Sequence, residues 1–302
     1  MPDRRIRRGA IVAGAALVSL TLAGCGSGVA PHAAGKPQGS VDVLYAGSLV
    51  DVMQNAIGPA FHKATGYTLE GFAGGSTELA NEITGHLRQA DVFISAAPAV
   101  NSGLMGKAHG DYVRWYTTFA QAPLVIGYNP HSRFAHDLQT KPWYLVMEEP
   151  GFRLGRTDPK LDPKGALTVQ AVQAAQTLYH QSGLAQRILG GAENPAQVFP
   201  EEDLVGRLQA GQLDAGFFYS NEAVQAKIPV ISLPKALQFD AAFTVTEVRG
   251  APHAAAAQAF IRFLLGKRGQ AILRKDGLQI LPPHLSGKVQ AVPATLRSVV
   301  GN

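Results

Sequence analysis

The sequence predicts an α/β protein in which mostly parallel strands are flanked by helices. Two similar units carry this prediction, each an apolar strand, a turn of small residues and a helix, at Val41–Met53 and again at Thr68–Leu87. A third apolar strand follows at Asp91–Ser95. Strands that alternate with helices usually pair in parallel, and ligands bind where strand ends meet helix starts. We therefore expect a binding site at these turns.

A serine lies at each of the two turns. Ser48 follows the first strand and is the predicted N-cap of the first helix, while Ser76 or Thr77 is the predicted cap of the second. A helix start offers unpaired N–H groups, the positive end of the helix dipole and, here, a hydroxyl donor. These turns suit an anion, and simple capping is the alternative interpretation.

Length and charge narrow the class of protein. A chain of 302 residues can bury a large core in one large or two moderate domains. The net charge is +5, but the first eight residues hold four arginines and one aspartate, so the rest carries about +2. Outside that leader lysine and arginine form no cluster, which argues against nucleic-acid binding.

The beginning of the chain has the pattern of an export signal. Basic residues precede an uncharged run at 9–24 that is too short to span a membrane comfortably. The run ends in Leu-Ala-Gly-Cys, which resembles the lipobox of bacterial lipoproteins. The resemblance implies a lipoprotein signal peptide at 1–24, a lipid anchor on Cys25 and a flexible tether at 25–40. Cys25 is the only cysteine, so no intrachain disulfide can form; a buried thiol is the alternative.

Later elements continue the alternation of strands and helices. A loop of prolines, aspartates and glycine precedes a long predicted helix, and the amides of Lys164 and Gly165 are expected to point beyond its start. The predicted helices are Ala166–Gln181, Glu201–Ala210 and His253–Leu265, and the predicted strands are Leu124–Tyr128, Ala215–Tyr219, a buried Pro229–Leu233 and the return segment Phe239–Val248.

Five segments, in this order, resemble the motifs of the molybdate- and tungstate-binding proteins of ABC importers. They are Leu44–Leu49, Phe72–Ala80, Ala90–Ala96, Thr157–Gly165 and Asp214–Tyr219. The resemblance implies the two-lobed periplasmic binding protein type II fold, in which each lobe is a mostly parallel sheet flanked by helices and the ligand lies in the cleft between them. Lobe 1 would comprise residues 41–121 and 243–302, and lobe 2 residues 122–242.

The same resemblance implies a set of binding residues. The serines fall on Ser48 and Ser76, the tyrosine on Tyr219, and two amide donors near Lys164 and Leu204. In an archaeal branch an Asp and a Glu add ligands to the metal. Asp162 matches that Asp, but Phe218 stands where the Glu is expected. We therefore predict a hydrogen-bonded tetrahedral oxyanion, with Asp162 facing away or pairing with Lys164. Lys164 replaces a small residue of the bacterial branch, and a solvent-exposed lysine is the alternative.

The predicted function is the extracytoplasmic capture of molybdate or tungstate for delivery to an ABC transporter permease. No cofactor is expected beyond the transported anion, and the protein should be a monomer held to the membrane through Cys25. A tetrahedral dianion has four acceptor oxygens and no hydrogen at neutral pH, so a site made only of donors fits it best. Such a site would discriminate against protonated phosphate because it offers no acceptor.

Three other functions stay open at this point. A serine-dependent hydrolase lacks support because the sequence has no Gly-x-Ser-x-Gly motif and no metal-type histidine spacing. A receptor of the same fold for sulfate, ferric iron or an organic anion is the second alternative. Ferric receptors commonly use adjacent tyrosines, whereas Phe218 precedes Tyr219 here. The third is a surface lipoprotein that senses or adheres.

Overall fold

The computed structural model describes residues 39–301. The predicted signal peptide, Cys25 and the tether up to residue 38 lie outside the described residues. Nine strands are described, β1 Ser40–Ala46, β2 Thr68–Gly74, β3 Val92–Ser95, β4 Trp115–Tyr128, β5 Leu154–Gly155, β6 Ala215–Tyr219, β7 Val230–Ser232, β8 Asp240–Glu247 and β9 Gln279–Gly287.

The α-helices of the same residues are α1 Val50–Val52, α2 Gly58–Thr65, α3 Ser76–Thr84, α4 Pro98–Ser102, α5 Ala135–Thr140, α6 Trp143–Val146, α7 Pro163–Leu178, α8 Leu184–Leu189, α9 Leu204–Gln209, α10 Ser220–Ala226, α11 Ala254–Leu265 and α12 Lys267–Lys275. Between 39 and 301 no helix combines the length and the hydropathy that crossing a membrane requires.

The first helical segment joins several short pieces. A 3-10 turn at Gly47–Leu49 leads into α1, and a π-helical turn at Met53–Ile57 leads into α2. The segment ends at Gly66, which has a left-handed conformation with φ 87°. Glycine adopts this conformation without steric cost, so it can end the helix here.

The strands form one sheet with the order β2-β1-β3-β8-β4-β6-β5, and β7 and β9 also pair with β4. Pairing is parallel for β1 with β2, β1 with β3, and β5 with β6. It is antiparallel for every pair that includes β4 or β8. The predicted α/β class is confirmed, and the strands that lead to the two serines are parallel as expected.

The long strand β4 connects two parts of the sheet. Its residues up to Pro123 pair with β8 and β9, and from Leu124 onward it pairs with β6 and β7. This change lies close to the boundary between the predicted lobes. We keep the division into lobe 1, 41–121 and 243–302, and lobe 2, 122–242, as our proposal.

Apolar side chains fill both faces of the sheet. The largest cluster includes Tyr45, Phe61 and Phe260, and a smaller one packs α9 against β6 through Leu204 and Phe218. Two sequence expectations differ from the structure. The strand predicted as buried at Pro229–Leu233 is the short β7, and Val230 is 43% exposed because β7 pairs only with β4. Strand β9, which contains two prolines and alternates only weakly, was missed.

Candidate functional site

The two serine turns of lobe 1 lie side by side. Strands β1 and β2 are parallel and pair Ala46 with Gly74, and each serine lies two residues beyond its member of that pair. Neighbouring strands are about 4.8 Å apart. Ser48 and Ser76 therefore lie next to each other at one edge of the sheet, on adjacent turns.

Neither serine caps its helix in the way the sequence predicts. Ser48 lies inside the 3-10 turn that begins at Gly47, and Ser76 is the first residue of α3, after Gly75. The Ser76 Oγ accepts a hydrogen bond from the Ala96 amide at 3.0 Å, so its own hydrogen remains available. The Ser48 Oγ is buried and has no hydrogen-bond partner among residues 39–301. Both hydroxyls are thus free to donate to a ligand.

A loop of lobe 2 covers the start of α3. The Leu161 carbonyl accepts hydrogen bonds from the amides of Thr77 and Glu78, each at 3.0 Å. A Cβ placed on Gly75 would lie 2.6 Å from the same carbonyl oxygen, so only glycine fits without movement. The positive end of α3 is thereby paired with a backbone carbonyl of the opposite lobe.

A second loop of lobe 2 covers the Ser48 turn. A Cβ on Gly47 would overlap the carboxyl group of Glu201, which shows how closely the two lobes approach. Asn221, at the start of α10, donates from Nδ2 to the Ser48 carbonyl at 2.7 Å. Each serine turn of lobe 1 therefore faces its own partner segment of lobe 2.

A buried cation lies behind these contacts. The Lys164 side chain is fully buried, and its Nζ lies 2.7 Å from Glu201 Oε1 and 2.9 and 3.0 Å from the two carboxylate oxygens of Glu222. Burial lowers the pKa of the Lys164 ammonium. The charges of Glu201 and Glu222 raise this pKa by a larger amount, so the net shift is upward. Lys164 is therefore charged, and the alternative of a solvent-exposed lysine is wrong.

Asp162 caps α7 and does not pair with the Lys164 ammonium. Its Oδ1 accepts hydrogen bonds from Thr157 Oγ1 at 2.8 Å and from the Lys164 amide at 2.9 Å. Burial raises the pKa of this carboxyl group, although Lys164 and Thr157 act in the opposite direction. The expected pairing of Asp162 with Lys164 thus involves the backbone amide of the lysine.

Two predicted amide donors are already in use. The Lys164 amide donates to Asp162, and the Leu204 amide donates to the Glu201 carbonyl within a 3-10 turn. An N–H group that is already bonded cannot donate to a ligand in the same arrangement. We therefore leave both amides out of the candidate donor set, because the residues expected to bind through them have structural hydrogen bonds instead.

Tyr219 supplies a hydroxyl from the end of β6. The side chain is 1% exposed, and its OH has no hydrogen-bond partner in the described part of the chain. Burial raises the pKa of the phenol well above its ordinary value, and Asp162, Glu222 and Glu201 raise it further. The phenol is therefore neutral and able to donate.

Four buried polar atoms without partners belong to segments that meet at this place. They are Ser48 Oγ, Glu201 Oε2, Tyr219 OH and Asn221 Oδ1. Buried polar groups almost always find partners, and each exception needs an explanation. A bound acceptor would satisfy Ser48 Oγ and Tyr219 OH, which can donate, whereas Asn221 Oδ1 can only accept.

Two cavities flank the contact between the lobes. One of about 320 Å³ is lined by Gly47 and Asp51 on one side and by Glu201 and Glu222 on the other. The other, of about 300 Å³, is lined by Thr77 and Asp162. Neither of these two cavities is lined by Ser48, Ser76 or Tyr219.

Sequence reasoning missed three residues of this site. Glu201 belongs to a run of three acids that favours a helix start, and Asn221 and Glu222 resemble ordinary residues of a first helical turn. Their charge partners lie far away in the sequence, with Lys164 37 residues before Glu201. Only an unexplained excess of acids near the tyrosine motif could have indicated them.

A separate cluster has the side chains of a metal site, but its buried carboxylate, Asp91, already has hydrogen-bond partners. Asp42, Asp91 and His253 lie near one another at the start of β1 and β3, the edge of the sheet opposite the serines. Asp91 accepts hydrogen bonds from the amides of Asp42 and His253, both at 2.8 Å, and contacts the His253 ring at 2.9 Å. Its oxygens are thus occupied, and it serves to join the strand ends to α11.

Known proteins resemble this chain over most of its length. A protein of Haloferax volcanii named for molybdenum binding in an ABC transporter is 30% identical over 84% of this chain and 87% of its own. The molybdate/tungstate-binding protein WtpA of Pyrococcus abyssi is 24% identical over 93% of this chain and 95% of its own. The predicted resemblance is therefore confirmed.

The fold also matches a solved structure. The periplasmic molybdate-binding protein of Azotobacter vinelandii superposes with a TM-score of 0.61 at 16% identity, over 80% of this chain and 99% of that protein. This similarity confirms the two-lobed type II fold. Residues 41–279 match the family described as bacterial extracellular solute-binding protein, whose function is binding and not catalysis. The chain belongs to this family of extracellular solute-binding proteins.

Proposed function

We propose that this protein captures a tetrahedral oxyanion, molybdate or tungstate, outside the cytoplasm and delivers it to the permease of an ABC importer. One observation carries the proposal. Ser48 Oγ and Tyr219 OH are buried hydroxyls on opposite lobes, and neither has a partner within the described residues. The names of the Haloferax and Pyrococcus relatives support the choice of anion.

The hydroxyl groups form a donor set that suits a tetrahedral dianion. Ser48, Ser76 and Tyr219 each have a hydrogen to donate, and the first amides of the helical turns after Gly47 and Gly75 have no partner within their own helices. Hydrogen bonds to a charged acceptor contribute about 1.5 to 3 kcal/mol each. Three hydroxyls and two amides thus give on the order of 10 kcal/mol before the cost of closing the lobes.

The charges around the site limit what it can bind. Lys164 carries one positive charge, whereas Asp162, Glu201 and Glu222 would carry three negative charges if all were ionised. A dianion would be repelled by the net negative charge of these four side chains. Burial raises the pKa of both Asp162 and Glu201, which favours their neutral forms. With Asp162 and Glu201 neutral, the charges of Lys164 and Glu222 balance, and an anion is tolerated.

Contacts between the lobes suggest how the ligand is enclosed. The Leu161 carbonyl bonds to the start of α3, Asn221 bonds to the Ser48 carbonyl, and Glu201 lies against Gly47. In our proposal these contacts form as the lobes close on the anion, and the permease recognises the closed form. The anion is bound and released without any bond being broken.

Titration calorimetry tests the proposal. We expect molybdate and tungstate to bind, with sulfate and phosphate weaker, and expect Ser48→Ala and Ser76→Ala to lose at least about tenfold in affinity. Ser132→Ala is the matched control. The Ser132 hydroxyl donates to Asp214 at 2.7 Å, and Asp214 directly precedes β6, at the end of that strand opposite Tyr219. Wild-type protein that binds none of the four anions would refute the proposal.

Membrane attachment through Cys25 is part of the proposal. The sequence pattern at 22–25 supports it, together with a family that acts outside the cytoplasm. Metabolic labelling with palmitate tests it in a bacterial host that processes lipoproteins. Wild-type protein should incorporate the label and Cys25→Ser should not; equal labelling of both would exclude this anchor.

A further inference from the structure

One lysine serves two buried glutamates at the candidate site. The Lys164 ammonium lies within 3.0 Å of both Glu201 and Glu222, and all three side chains are buried. With both carboxyl groups ionised, the trio would hold one excess negative charge. An uncompensated charge in a protein interior is costly and is usually removed by binding a proton. One of the two glutamates is therefore expected to be neutral.

The hydrogen bonds indicate which glutamate carries the proton. Both oxygens of Glu222 accept from Lys164 Nζ, and its Oε2 also accepts from the Tyr219 amide at 2.7 Å. Glu201 uses only Oε1, at 2.7 Å from the lysine, and its Oε2 is buried without a partner in the part of the chain that is described. A carboxyl hydrogen needs an oxygen that no donor occupies. Glu201 Oε2 meets this condition.

The surroundings of Glu201 agree with a neutral form. Burial raises the pKa of the Glu201 carboxyl well above its ordinary value; Lys164 opposes this, and Glu222 and Asp162 add to it. Tyr219 is a neutral phenol nearby, and Asp51 of lobe 1 lines the same cavity. Glu202, the exposed neighbour of Glu201, lines that cavity as well.

We propose that Glu201 binds the oxyanion as a neutral carboxylic acid and donates its Oε2 hydrogen to one ligand oxygen. The inference rests on the proposed function. The carboxyl group lies against Gly47, the residue before Ser48, so its hydrogen is directed toward the serine turn of lobe 1. The bound complex then holds one hydrogen between Glu201 and the anion, although molybdate itself brings none.

This role makes binding depend on pH. Below the pKa of free Glu201 the acid is already protonated, and affinity should not change with pH. Above that pKa each binding event must take up one proton, so affinity should fall by about tenfold per pH unit. Molybdate stays a dianion across this range, so the change would come from the protein.

The experiment measures the affinity for sodium molybdate by calorimetry from pH 6 to pH 9 at constant ionic strength. Glu201→Gln keeps the shape, the acceptor for Lys164 and an N–H donor, but cannot titrate. Glu202→Gln removes the same charge from the neighbouring exposed residue and is the matched control. We expect wild-type protein and Glu202→Gln to lose affinity as pH rises, with proton uptake seen as heats that depend on the buffer. Glu201→Gln should bind with an affinity that does not change with pH.

Three results would overturn the inference. The first is molybdate binding to wild-type protein without proton uptake at a pH where infrared difference spectra against Glu201→Gln show that free Glu201 is ionised. The second is a Glu201→Gln variant that keeps the wild-type slope. The third is binding of hydrogen phosphate in preference to molybdate, which would mean that Glu201 is an ionised acceptor. In the first two cases the proposed function stands, whereas absence of binding to any oxyanion at any pH would refute the function itself.

Discussion

Replacing Ser48 by alanine should change stability and binding in opposite directions. The Ser48 side chain is 4% exposed, and its Oγ has no partner among the described residues. A buried hydroxyl without a hydrogen bond costs about 1 to 3 kcal/mol. Alanine removes that cost and leaves only a small gap. In the ligand-free variant the closed arrangement should therefore be stabilised by about 1 kcal/mol relative to wild-type protein, and the free energy of unfolding should rise by up to that amount.

Ligand binding should become weaker in the same variant. The lost hydrogen bond to a charged oxygen is worth about 1.5 to 3 kcal/mol, which corresponds to roughly ten- to 150-fold in the dissociation constant. Urea unfolding with and without molybdate, together with calorimetry, measures both effects. Saturating molybdate should stabilise the variant less than it stabilises the wild-type protein.

Ser132→Ala separates a binding serine from a structural one. Its hydroxyl donates to Asp214 and accepts from the Phe134 amide, so its loss should lower stability by about 0.5 to 1.5 kcal/mol and leave affinity unchanged. A Ser48→Ala protein that is less stable than wild type and binds molybdate with unchanged affinity would show that the Ser48 hydroxyl is structural.

Three further predictions follow from contacts elsewhere. Gly75→Ala should weaken molybdate binding by about tenfold or more, because the new Cβ would lie 2.6 Å from the Leu161 carbonyl oxygen and hinder closure of the lobes. Unchanged affinity, or a radius of gyration with molybdate no larger than that of wild-type protein in X-ray scattering, would count against this. Burial raises the pKa of Asp276 to about 7, so the folded state retains a proton that the unfolded chain loses, and stability falls as pH rises from about 4 to about 7. Asp276→Asn should therefore be more stable than wild type at pH 8 and nearly equal at pH 4 in urea unfolding, and a gain at pH 4 alone would contradict it. Asp91→Asn should lower the free energy of unfolding by about 1 to 3 kcal/mol without changing affinity, since it lies at the opposite edge of the sheet. Because Asp91 raises the pKa of His253, the stabilisation from that ion pair is present below the ordinary histidine pKa of about 6.5 and is lost as pH rises through the raised value. The stability difference between wild-type protein and Asp91→Asn should therefore shrink between pH 6 and pH 9, and a difference that grows would refute this.

The strands and the larger helices could be predicted because their signals are local. The strand Ala215–Tyr219 has the predicted bounds, and the helix predicted at His253–Leu265 is α11, Ala254–Leu265. Errors occur where the neighbours of an element decide its exposure. Strand β7 has an ordinary apolar sequence, but it pairs on one side only and is therefore not buried. Both helix caps lie earlier than predicted, since Ala46 precedes the 3-10 turn that contains Ser48 and Gly75 precedes α3.

Two serine turns at the ends of parallel strands follow from the amino-acid pattern alone, since the periodicity of apolar residues and the small-residue turns are encoded within a few positions. What faces those turns depends on how distant segments pack together. Lys164 meets Glu201 and Glu222 across 37 and 58 residues of sequence, and Asn221 reaches Ser48 across 173. The charge and protonation of a buried group depend on burial and on such distant partners, and no local pattern records them.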